Sequence, residues 1–238
     1  MFRHKGKTRT FTHNLKIASV LSFVAGLVNV AGFLSVQRLT TNVTGHFAFF
    51  VDEVFKLNIS GSLVFFLYIL LFLAGSFVSN FLIEIISRRN ERYIYIIPAI
   101  FELLILVLIG IYGDTLALGH PDIIAYALLF SMGLQNALVT RISDAMVRTT
   151  HLTGLFTDLG IELSQLFFYR TVEQKARLLL NIRLRARIII FFFTGGVVGG
   201  VFYGYLTLKV LLIAAMVLMF GLVYDHIRYK ILVWNRRN

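Results

Sequence analysis

The chain has 238 residues, 58% hydrophobic and 15% charged, with a mean hydropathy of +0.79. Too little polar side chain is left to coat a soluble globule of this size, so the composition places the protein in a bilayer. Cysteine is absent, which excludes disulfides, thiolate metal sites and cysteine nucleophiles, and the net charge of +11 raises a nucleic-acid reading that the placement of the charges has to answer.

A basic N-terminus carrying Arg3, Lys5, Lys7 and Arg9 leads into a first apolar run, Leu15 to Val36. Signal peptides begin in the same way, but this run is long and holds Gly26, Leu27 and Asn29, which recur later in the chain, so it reads as a retained span. After it comes Thr40-Thr41-Asn42-Val43-Thr44-Gly45-His46. Further spans are expected at Gly61 to Ile86, Tyr93 to Tyr112, Ile123 to Val139, Ile188 to Tyr205 and Leu208 to Tyr224, each near the roughly 20 residues that cross hydrocarbon. Gly113 to Asp122 is acidic and rich in turn residues and reads as a linker. It divides the chain into a first membrane unit at 1–113, an outside linker at 114–122 and a second membrane unit at 123–238. Arg170 to Arg187 mixes basic residues with Leu178, Leu179, Leu180, Ile182 and Leu184, the pattern of an amphipathic helix on the inner leaflet that would meet anionic lipid. Gly75, Ser76 and Ser79, and Gly195, Gly196, Gly199 and Gly200, are small residues of the kind that let helices approach closely.

With the N-terminus cytoplasmic and six crossings, twenty of the 23 lysines and arginines fall inside. Only Arg38, Lys56 and Lys209 fall outside. This is the asymmetry of the positive-inside rule, and it accounts for the basic excess without nucleic acid. The expected location is a bacterial inner (cytoplasmic) membrane, multi-pass, with both termini cytoplasmic.

Gly26 to Leu57 and Gly133 to Leu166 repeat one another. Placing Asn29 on Asn136, and allowing two extra residues in the second copy, matches Thr40, Thr41, Thr44, Gly45, Phe47, Glu53 and Leu57 with Thr149, Thr150, Thr153, Gly154, Phe156, Glu162 and Leu166. Such internal similarity points to a duplicated unit. As a helix, Thr44 to Leu57 extends about 21 Å, short of a roughly 30 Å hydrocarbon layer, so each core reads as re-entrant or interfacial. Three crossings per unit invert the second copy relative to the first. The fold expected is therefore all-α and polytopic, with six transmembrane helices as two inverted three-helix repeats, each with a broken Thr/Gly-rich segment.

Threonine, asparagine and glycine are poor choices for an unbroken helix in lipid, and broken backbone survives at membrane depth only against protein or a watery cavity. A helix starting at Thr44 or Gly45 would present amides and its dipole to an anion or a polar oxygen, and the second core, Thr149 to Gly154, offers the same donors. Candidate substrate-binding residues are Asn29, Thr41, Asn42, Thr44, Gly45, His46, Asn136, Thr150, His151, Thr153 and Gly154. Glu102, inside the third span, and the repeat-matched Glu53 and Glu162 are candidates for proton coupling, with His46 as a further titrating group. No His/Asp/Glu set has metal-ligand spacing, no phosphate-binding loop or nucleophile elbow occurs, and neither a cofactor nor an enzymatic activity is expected.

The Thr-Thr-Asn-Val-Thr-Gly-His core, Met132-Gly133-Leu134-Gln135-Asn136-Ala137 and Thr149-Thr150-His151-Leu152-Thr153-Gly154 resemble the YoaK-like family of bacterial integral membrane proteins of unknown function, over essentially the whole chain. The resemblance implies the membrane class and no activity. From the residues, the leading expectation is a transporter or channel for a small polar or anionic solute. The alternative is a non-transporting scaffold or regulatory subunit that binds anionic lipid or a partner protein, and homo-oligomerisation is left open.

Overall fold

The computed structural model describes residues 10–88, 93–143 and 145–235. Among these the fold is all-helical: α1 (Phe11–Val36), α2 (Val43–Phe55), α3 (Ile59–Ser87), α4 (Ile96–Gly119), α5 (Pro121–Ser143), α6 (Leu152–Gln165), α7 (Val172–Leu206) and α8 (Leu211–Asn235), with a 3₁₀ turn at Thr207–Val210 between the last two. Five helical runs are long and apolar enough to cross a membrane: α1, α3, α4, α5 and the run Val172–Asp225, which holds α7 and most of α8. Of the basic residues assigned to the inner side from sequence, Arg3, Lys5, Lys7, Arg9, Arg89, Arg92, Arg236 and Arg237 lie outside the described residues.

Burial separates the helices into a central pair and a surround. Most of α1 and α5 is buried, whereas α3 is buried on a narrow stripe only. Leu63, Phe66, Leu70, Leu73, Phe77 and Phe81 are exposed along α3 at helical spacing, and Ile190, Phe193, Val197 and Val201 do the same on α7. The α3 stripe runs about 27 Å, close to the thickness of a hydrocarbon layer. Apolar faces of that length are stable against lipid and costly in water.

The closest helix contacts repeat one motif four times. Phe23-Val24-Ala25-Gly26 on α1 meets Phe192-Phe193-Thr194-Gly195 on α7, and Phe130-Ser131-Met132-Gly133 on α5 meets Phe72-Leu73-Ala74-Gly75 on α3. In each crossing the glycine of one helix lies against the phenylalanine carbonyl of the other, where any Cβ would collide. Helices meet this closely only through small residues, and the approach gains van der Waals contact along both backbones. Ser76 adds a hydrogen bond to the Gly133 carbonyl, 3.2 Å.

Hydrogen bonds away from the crossings fix the directions. Tyr68 donates to Asp122 and Arg141 pairs with Glu84 at 2.6 Å, so α3 and α5 run parallel. Arg187 donates to Ser19, 2.9 Å, while Gly199 lies against Leu27, so α1 and α7 also run parallel. Leu208 packs on Gly113 and Lys16 donates to Tyr224, 3.4 Å. The chain therefore turns back at the 3₁₀ segment, and α8 returns along α4 and α1.

Two expectations are corrected. Residues 114–122, read as a linker, are helical except for His120, which alone separates α4 from α5. Asp114 is not a loop residue: its carboxylate accepts from Thr207 Oγ1 at 2.6 Å and from the Leu208 amide at 3.0 Å, capping the 3₁₀ turn. Leu116, Ala117 and Leu118 favour helix, and Pro121 starts the next one, where its missing N–H costs nothing. Arg170 to Arg187 is not a separate helix either, because α7 runs unbroken from Val172 through the apolar segment. At 35 residues it is about 52 Å long, so a basic overhang extends past the apolar stripe. Thr171 caps its start by accepting from the Gln174 amide, 3.3 Å.

Replacing Gly133 by alanine is expected to lower stability by about 1–3 kcal/mol through overpacking against backbone. Gly160, on α6 with open space around it, should instead gain up to about 1 kcal/mol from the same change. Thermal unfolding in detergent measures both, and a Gly133→Ala protein as stable as wild type would sink the crossing as the rigid element of the fold.

Candidate functional site

After α1 the chain doubles back on itself. Gln37 takes a left-handed conformation, φ 53°, and Thr40 and Thr41 then descend beside α1. Thr40 Oγ1 donates to the Val28 carbonyl at 3.2 Å and Thr41 Oγ1 to Asn29 Oδ1 at 2.7 Å, so α2 begins about 10 Å below the end of α1. The second copy follows the same course after α5. Ala145 supplies the left-handed residue, φ 62°, Asn136 Nδ2 donates to Thr150 Oγ1 at 2.5 Å, and Thr149 Oγ1 reaches Asn136 Oδ1 at 3.4 Å. Each repeat asparagine thus anchors the second threonine of its pair.

α2 and α6 start at the depth these bonds set, each packed as a hairpin against the helix that follows it. Their N-caps are the equivalent residues Asn42 and His151. Asn42 Oδ1 accepts from the Gly45 amide at 3.0 Å, whereas His151 makes no side-chain cap and lays its ring over Gly154. The first turn of α6 therefore keeps more of its amide capacity for something else.

Both cores open on one cavity of about 960 Å³. Of the residues expected from sequence, Asn29, Thr41, Asn42, Thr44, Gly45, Asn136, Thr150, His151 and Thr153 line it. Gly154 lines a neighbouring cavity of about 350 Å³, which shares Arg148 and His151 with the first. His46 is buried away from both. Its Nε2 donates to the Leu39 carbonyl at 2.5 Å, and its ring lies 4.7 Å from that of Tyr68.

The three glutamates lie elsewhere. Glu102 is fully buried on α4, with neither oxygen bonded among the described residues. Glu53 accepts from Asn58 at 2.6 Å at the α2–α3 turn and lies 3.6 Å from Lys56. Glu162 pairs with Arg185 on α7 at 2.7 Å, and Asp158 meets the same guanidinium at 2.9 Å. In the first copy the positions of Asp158 and Arg185 are held by Phe49 and Phe65, stacked at 5.3 Å. One hairpin is fastened by charge and the other by aromatic contact.

Sequence reading missed Arg148, Phe72 and Phe192, all of which line the larger cavity. Phe72 and Phe192 are the equivalent phenylalanines of the two glycine crossings, and Arg148 immediately precedes the Thr149-Thr150 pair. Each had a legible signal, in the three-residue spacing from a packing glycine and in adjacency to the repeated core. Among the described residues lining this cavity, Arg148 carries the sole formal charge, and it pairs with no described carboxylate.

The chain matches, over residues 17–224, the family model described as protein of unknown function (DUF1275). It belongs to that family, which is the YoaK-like family its motifs resemble. No curated protein and no solved structure matches it.

Thr41→Val and Thr150→Val each remove a hydrogen-bond partner of a half-buried asparagine, and each is expected to cost about 1 kcal/mol. Arg185→Ala, which leaves Glu162 unpaired at 8% side-chain exposure, should cost more, on the order of 2 kcal/mol. Unfolding midpoints of the three proteins in one detergent test the order.

Proposed function

We propose that this member of the DUF1275 family moves a small polar or anionic solute across a bacterial inner membrane, through the cavity where its two Thr/Gly-rich cores meet. The observation that carries the reading is that Asn29, Thr41 and Thr44 from one copy and Asn136, Thr150 and Thr153 from the other line a single cavity. A site built from two broken segments, each held in place by its own first helix, is the arrangement by which repeat transporters expose backbone dipoles to a solute at mid-depth.

The architecture that goes with this function has six crossings, α1, α3, α4, α5, α7 and α8, with α2 and α6 re-entrant. α1 runs parallel to α7, and α3 to α5, and the glycine crossings exchange the copies: first helix with second helix in both cases. An inverted repeat relates α1 to α5 and α3 to α7 in this way. Lys16, Arg88, Arg141, Arg170, Arg183 and Arg187 lie toward one end, which the positive-inside rule makes cytoplasmic.

The basic overhang of α7 favours a second reading, a scaffold held by anionic lipid. Lys175, Arg177 and Arg183 are exposed there beside exposed Leu179 and Leu180, and such clusters bind anionic headgroups.

Purified protein in liposomes is expected to pass small anions or polar metabolites, and Thr44→Val/Thr153→Val to abolish the flux while the protein stays folded. Absence of flux over a broad solute panel, together with vesicle binding lost in Arg177→Gln/Arg183→Gln, would replace transport by the scaffold. Because the chain has no cysteine, single cysteines at Gly119 and Arg170 report topology directly. An impermeant thiol reagent should label them from opposite sides, and labelling from one side alone would refute the six-crossing arrangement.

A further inference from the structure

We infer that the solute is a small organic anion, a carboxylate with an apolar or aromatic body, held with its charge toward Arg148 and its body between Phe72 and Phe192. The inference rests on the reading of the larger cavity as the solute site, and it adds the chemical class.

Three observations carry it. First, Arg148 is the one formally charged group among the described residues lining the cavity, with no described carboxylate to neutralise it. A guanidinium that faces a cavity rimmed by Thr150, Thr153 and the uncapped start of α6 suits a planar oxyanion, which it can engage with two parallel hydrogen bonds. Second, beside the polar residues of the two cores the wall has an apolar part. Phe72 and Phe192 enter it from equivalent points of the two crossings, together with Leu39, Val43 and Leu152. Two equivalently placed phenylalanines in the wall suit a flat or apolar body, and an inorganic anion would leave these walls wet. Third, about 960 Å³ lies at the upper end of the volumes that enclose organic ligands. Chloride or nitrate would occupy a small part of it.

The copies differ where this assignment needs them to differ. Arg148 stands where the first copy has Leu39, and both line the cavity. Duplication supplied a symmetric polar frame, and this replacement gives it a charged pole and an apolar one. Arg148 also borders the smaller cavity, whose lining includes Asn181, Arg185 and the Asp158 carboxylate that Arg185 holds at 2.9 Å. The anion-binding pole is therefore the part of the site shared by both spaces.

Binding in detergent tests this separately from transport, with benzoate, its neutral isostere benzamide, and chloride titrated calorimetrically into the full chain. Benzoate should bind, and benzamide and chloride should bind at least about tenfold more weakly. Arg148→Gln should weaken benzoate at least about tenfold, with Arg148→Lys retaining part of the affinity. Phe72→Leu and Phe192→Leu, which preserve the backbone contacts of the crossings, should each weaken it about three- to tenfold and leave chloride unchanged. Benzamide binding as tightly as benzoate would overturn the anionic pole, chloride matching benzoate would overturn the organic body, and no binding of any of the three would overturn both. Benzoate binding without flux of any solute would overturn transport and leave this site standing. Flux of a neutral solute without benzoate binding would do the reverse.

Discussion

Two backbones in contact set the geometry of this protein. Where α1 crosses α7, and again where α5 crosses α3, glycine lies on the carbonyl of a phenylalanine from the facing helix, with no side chain between them. In lipid there is no hydrophobic gain in bringing helices together, so close van der Waals contact and shared hydrogen bonds have to hold the bundle. A crossing of this kind tolerates little sliding, because one residue of register would put a Cβ into a carbonyl. The Asn29–Thr41 and Asn136–Thr150 anchors sit one turn from these crossings, so the depth at which α2 and α6 begin is inherited from them. Two of the four phenylalanines at these crossings, Phe72 and Phe192, also wall the cavity, so the packing scaffold and the cavity wall share residues.

The two copies share this frame and diverge in chemistry around it. The first hairpin is fastened by Phe49 against Phe65, with His46 buried on Tyr68. The second uses Asp158 and Glu162 on Arg185. Asn42 closes the start of α2 with a side-chain bond, while His151 leaves the start of α6 open, and Leu39 is matched by Arg148. Asp158, Arg185 and Arg148 add charge to the second copy and His151 leaves hydrogen-bonding capacity open there, whereas His46 and Tyr68 are matched by the apolar Leu155 and Ile188. On the proposed reading of the cavity as a solute site, divergence of this kind makes the second core its polar pole.

The threonine cores were legible because they violate local expectation: residues that resist helix in lipid occur twice, at matched spacing, in otherwise apolar sequence. Most residues named from that violation share the cavity. His46 was grouped with them by adjacency, yet one residue past Gly45 the helix has turned its side chain inward, onto Leu39 and Tyr68. Glu53 and Glu162 matched in sequence and serve at hairpins, where each meets a cation or an amide nearby. Repetition preserved the position, and what surrounds it differs between copies. Asp114 and its neighbours resembled a loop by composition, but composition does not register that the carboxylate caps a segment some ninety residues later.

The sequence by itself determined the apolar helices, the duplication and the broken cores, because hydropathy, helix-resisting residues and repeat spacing are local properties written in the order of the residues. Only the tertiary structure decided which helices cross, and therefore that Phe72, Phe192 and Arg148 come to one cavity with the two cores. Those residues are far apart in the chain, and they meet because helices from different copies touch through glycine, a contact whose partner no single helix specifies.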